Sequence, residues 1–149
     1  MGGVDDAGEL RLVKHAYRTG AVIDGVVAAS MVMPERFGAR LRYREPFDVE
    51  RREYRYAMRF GAPLMAGWTG LLLWAERKPV ERRGVLALTI LVIAGLMAND
   101  GRAVLAGEAR PVAVAPTLAM QAGLLGLFGT AWARARRQAA TAEESRSAS

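Results

Sequence analysis

Cysteine is absent from these 149 residues, which removes disulfides and thiolate metal sites at once. Histidine occurs once, as His15. With no second imidazole and no carboxylate four residues on, it builds no zinc site. No GxxxxGK[ST] or GxGxxG cradle for phosphate is present. Ser30 has neither a G-x-S-x-G setting nor a histidine partner, so no hydrolase triad is legible. Lysine is scarce as well: Lys14 and Lys78 stand against many arginines. The expectation is a chain with no metal, no cofactor and no catalytic motif.

What is abundant is segregated. The mean hydropathy of +0.08 averages two populations, since 52% of the residues are hydrophobic and 24% charged. Charges crowd into residues 1–18, 35–59, 76–83 and 134–146, with apolar stretches between them. A soluble helix shows an apolar stripe with polar residues at every turn, whereas these stretches are apolar all round. A chain this short builds no core able to hide four of them. The sequence therefore predicts an all-α fold, a transmembrane four-helix bundle, with spans at about residues 17–34, 57–76, 84–100 and 112–133. A helix needs about 20 apolar residues to cross the hydrocarbon. The fourth span meets this, while the second and third must borrow flanking residues or sit in thinner bilayer.

Residues 1–16 read as a cytoplasmic segment, unstructured over 1–8, and residues 134–149 as a basic stretch followed by a disordered tail. A cleavable leader is not expected: the core before Ala28-Ala29-Ser30 is short, contains Asp24 and follows three acids. The net charge of +6 and pI near 10.5 would fit nucleic acid. The arginines flank apolar spans instead, where positive charge orients membrane proteins, so no nucleic-acid partner is expected. Arg77, Lys78, Arg82 and Arg83 in the second loop, and Arg134, Arg136 and Arg137 after the fourth span, place that loop and both termini in the cytoplasm. The first loop opposes this with eight arginines from Arg36 to Arg59, beside the acids Glu35, Glu45, Asp48, Glu50 and Glu53. After Pro46 the loop is expected to be helical into the second span, with an Asp48–Arg52 pair. It forms a charged collar, or a contact for anionic lipid or a partner. The Arg-, Ala- and Gly-rich usage looks like a GC-rich bacterial genome, hence a multi-pass protein of the bacterial inner membrane.

One residue disturbs the first span. Asp24 is a carboxylate among apolar neighbours, which is costly near hydrocarbon unless it is paired, neutralised or wanted for a task. Counting 1.5 Å per residue from the cytoplasmic ends puts Trp68, Thr69 and Thr89 at its level, with Gln121 somewhat farther out. The indole N–H and the hydroxyls are potential partners. Either Asp24 fixes helix packing through hydrogen bonds, or it binds a proton or cation during transport. Gly20, Gly25 and Ala28 would let a neighbouring helix approach closely, and Gly123, Gly126 and Gly129 form a groove within the bundle or between copies. A second cluster is Asn99, Asp100 and Arg102. The favoured reading there is an Asn-Asp-Gly turn; the other is a third span continuing to Ala106, with Asp100 paired to Arg102 or Arg59.

The Gly61-Ala62-Pro63-Leu64-Met65-Ala66-Gly67-Trp68 run, the Leu-Leu-Leu-Trp-Ala end at 71–75 and the Arg-Lys-Pro-Val-Glu-Arg-Arg turn at 77–83 carry a resemblance. Over residues 55–89 the chain resembles a small family of uncharacterised four-span bacterial integral membrane proteins. That resemblance implies a fold and no activity. A weaker likeness is to small multidrug-resistance transporters, which also have four short spans and a carboxylate in the first. Those carry Glu where Asp24 stands and have a shorter first loop. The leading expectation is a non-enzymatic membrane bundle, alone in the lipid bilayer, as a homo-oligomer, or as a subunit of a larger membrane complex. The alternative is a small proton- or cation-coupled transporter acting as a dimer, with Asp24 as the coupling carboxylate.

Overall fold

A computed structural model describes residues 3–32 and 52–147. The described residues form four helices and no strands: α1 (Gly3–Val32), α2 (Arg52–Glu76), α3 (Gly84–Leu105) and α4 (Pro111–Ser147). Most of the first loop, including Pro46 and Asp48 of the expected Asp48–Arg52 pair, lies outside the described residues. From Arg52 onward that loop is already helical and runs into α2 without a break.

The helices run up and down. α1 packs extensively on α2, α3 on α4, and α1 on α4, whereas α2 and α3 barely touch. The buried positions of α4 explain its register: Val114, Gln121, Phe128 and Ala135 recur every seven residues, with Ala131 and Ala139 beside them. That spacing keeps one seam toward the neighbours, as in left-handed helix bundles. The core joins Tyr17, Leu72, Leu86 and Phe128, all fully buried. Gly20 permits this closure. A Cβ built there would stand 2.6 Å from Phe128 Cζ and 3.1 Å from Leu72 Cδ1.

Three expectations need correction. Asn99, Asp100 and Gly101 do not form a turn; they lie inside α3. The helix stops later, at a left-handed glycine, Gly107 (φ 74°). There Glu108 N–H reaches Ala103 O at 2.9 Å and Gly107 N–H reaches Val104 O at 3.0 Å, the paired bonds of a Schellman cap. Second, α4 does not end near residue 133 but continues through Ser147. The Ala, Arg, Gln and Glu of this stretch are good helix formers, and Ala135 and Ala139 are buried. Third, α1 begins at Gly3, where residues 1–8 were expected to be unstructured. Gly123, Gly126 and Gly129 take no part in closing the bundle, since a Cβ on any of them meets nothing within 4 Å.

By length and composition two helices, α3 and α4, are apolar enough to cross a membrane. α1 carries Arg18 and Asp24, and α2 opens with charged residues, so these two fall short by that measure.

Candidate functional site

One end of the bundle gathers the basic loop. α2 stops at Glu76, ahead of Pro79, whose ring cannot continue a helix. Tyr17 of α1 donates its hydroxyl to Arg82 O at 3.0 Å, and Arg18 Nε meets Glu76 Oε1 at 2.5 Å. The Arg82 guanidinium lies 3.5 Å from the centroid of the Trp74 ring and donates to the Trp74 carbonyl. Lys78 Nζ is 2.9 Å from Glu81 Oε2. Its hydrogen bond and charge hold the Glu81 carboxyl below the usual glutamate range. Arg137 Nη2 stands 3.9 Å from Glu9 Oε1, joining the far reaches of α1 and α4. His15 contributes only a 3.5 Å contact with the Thr19 hydroxyl, on the surface.

Deeper in, the sparse contact between α2 and α3 leaves a cavity of about 150 Å³. Asp24 from α1, Trp68 from α2 and Thr89 from α3 line it, with Phe128 from α4 and aliphatic side chains completing the wall. Each polar group reaches it from a different helix. The Thr89 hydroxyl is already committed, donating to Val85 O at 2.8 Å. The Trp68 indole N–H is buried without an acceptor. Among the described residues, no hydrogen bond or ion pair engages the Asp24 carboxylate. A buried donor left unpaired costs about 1–3 kcal/mol, and this one is closed off from the cavity space as well as from solvent.

Thr69 and Gln121 stand elsewhere. Thr69 donates to Met65 O at 2.9 Å and turns its methyl toward Gly25. Gln121 is buried, is not among the residues lining the cavity, and donates from Nε2 to Asp100 Oδ2 at 3.3 Å. It thus belongs with the second cluster. Arg102 and Asn99 are exposed. Among the described residues, no group of three His, Asp or Glu side chains is placed to hold a metal ion.

At the opposite end, exposed Arg52, Arg55 and Arg59 share an open cleft with Tyr56. Tyr56 stacks on Phe60 with centroids 6.5 Å apart. Sequence reasoning missed Phe128 as a cavity wall. The signal was available: it sits seven residues from both Gln121 and Ala135.

No protein-family model, curated protein or solved structure matches the chain.

Proposed function

We propose that the chain is an integral membrane protein in which all four helices cross the bilayer, acting as a non-enzymatic bundle or a subunit of a membrane assembly. What supports this reading is the outer surface. Val22 and Val26 of α1, Phe60 and Leu64 of α2, Leu88, Leu91 and Leu96 of α3, and Met120 of α4 are all exposed. Large apolar side chains turned outward on every helix fit hydrocarbon as the surrounding solvent. α1 and α2 then cross despite their charges. Arg18 and Glu76 pair at the basic end, and Asp24 faces the interior cavity, where a membrane carboxylate is best tolerated. The second loop and both termini share the basic end, which the positive-inside rule assigns to the cytoplasm of a bacterial inner membrane. Impermeant maleimide on intact cells tests the orientation, and the lack of native cysteine simplifies it. Cysteine at Ala106 should label, and cysteine at Ala140 should label only after permeabilisation. The reverse pattern inverts the topology.

A second reading is favoured by the cavity: a small transporter, working as a dimer, with Asp24 coupling substrate to a proton or cation. Under that reading Asp24→Asn abolishes substrate-driven proton release. Under the packing reading it leaves thermal stability within about 1 kcal/mol, since the carboxylate makes no hydrogen bond that an amide of the same size would lose.

A further inference from the structure

The two ends of the bundle treat their cations differently. At the basic loop they are engaged: Arg18 with Glu76, Lys78 with Glu81, Arg82 with the Trp74 carbonyl and ring, and Arg83 Nη1 with Val80 O at 3.2 Å. At the opposite end, Arg52, Arg55 and Arg59 have no hydrogen bond, ion pair or ring contact among the described residues. Spacings of three and four put them on one face of α2, where like charges repel. Glu53 is the only acid among the described residues of that cleft, so its wall is strongly positive. On the four-span reading, on which this inference rests, this end lies outside the cytoplasm. The positive-inside rule gives no account of arginine there; a bound anion does.

The neighbouring stripe of α2 selects among anions. Tyr56, Phe60 and Leu64 follow one another at four-residue spacing and are 72%, 64% and 63% exposed. They run about 12 Å along the helix, from the level of the arginines toward the middle of the span. Tyr56 lines the arginine cleft and stacks on Phe60, so the charged and apolar surfaces are continuous. A soluble anion or an acidic peptide would use the charged surface alone. An anionic phospholipid uses both: guanidinium forks take phosphate oxygens in pairs, and the stripe meets the acyl chain.

We propose that Arg52, Arg55 and Arg59 hold the phosphate of an anionic phospholipid at the non-cytoplasmic end of the bundle, with an acyl chain of the same molecule laid along Tyr56, Phe60 and Leu64.

The test uses the full chain in mild detergent, with phosphatidylglycerol or phosphatidylcholine of matched acyl chains, and native mass spectrometry to count retained lipid. Phosphatidylglycerol should be retained at least about tenfold more tightly, since its phosphate charge is not cancelled by an ammonium. Replacing Arg52, Arg55 and Arg59 together by alanine should lower its occupancy by one molecule per chain. The three side chains are exposed and alanine is the best helix former, so α2 should stay helical by circular dichroism. Phe60→Ser should weaken the same lipid with every arginine in place. Occupancy unchanged in either variant overturns the proposal. Displacement by glycerol 3-phosphate or oligoglutamate at equal concentration overturns it too, because the site would then take a soluble anion or an acidic partner. Failure of the four-span reading shows separately, as rapid labelling of Leu64→Cys by a water-soluble maleimide in isolated membranes. Protection of Leu64→Cys, together with lipid occupancy that the alanine substitutions leave unchanged, sinks the headgroup site alone.

Discussion

At the scale of single residues, Gly20 and Gly126 are chemically identical and physically opposite. A methyl at Gly20 would stand 2.6 Å from a ring atom of the fully buried Phe128, so the ring or the backbone must shift. Overpacking of this kind costs on the order of 1–3 kcal/mol, against a helix-propensity gain of about 1 kcal/mol. Gly20→Ala should therefore lower the thermal midpoint in detergent. Gly126→Ala, with nothing within 4 Å, should hold or raise it; a loss of oligomer in the same sample would show that the groove serves between copies. Glu81 supplies a pH test. Because Lys78 holds its carboxyl low, the pair's contribution is complete above the ordinary glutamate range and fades as pH falls through the lowered value. Lys78→Ala should move the Glu81 titration, followed by NMR, back up toward that ordinary range. The sequence singled out Asp24 as a charge in an apolar run, and the structure brings it to the cavity wall. The orphaned Trp68 N–H was not, because satisfaction of a donor depends on neighbours from other helices.

At the scale of elements, the sequence misled most where local signals were strongest. Asn99-Asp100-Gly101 reads as a turn, yet α3 runs through it, held by the Gln121–Asp100 contact to α4. The true stop is Gly107, the one described residue besides which no other takes a positive φ. Gly107→Ala should cost about 1–2 kcal/mol of stability, the usual penalty for a side chain in the left-handed region, and fray the end of α3. A double-mutant cycle over Asp100→Ala and Gln121→Ala should return a coupling of about 1 kcal/mol. Additive effects would mean that the turn-like segment is held helical by something else. The tail of α4 failed for a different reason. It has no apolar period, but good helix formers and a docking partner in α1 suffice without one.

At the scale of the whole molecule, the account turns on what surrounds the bundle. Four helices were legible from segregated charge, and their boundaries at Glu76 and Gly84 from the proline-bearing basic turn between them. Which helices cross was less legible, because composition alone qualifies α3 and α4. The case for α1 and α2 is an outward face of Val22, Val26, Phe60 and Leu64, visible only once the inward face is known. The most direct measurement is therefore cysteine protection in isolated membranes, using Val22→Cys, Leu64→Cys and Leu91→Cys with Ala142→Cys as an aqueous reference. A four-span bundle predicts that the first three resist a water-soluble maleimide until detergent is added, while Ala142→Cys labels at once. If Leu91→Cys is protected but Val22→Cys and Leu64→Cys label as fast as the reference, only α3 and α4 cross and the account is contradicted.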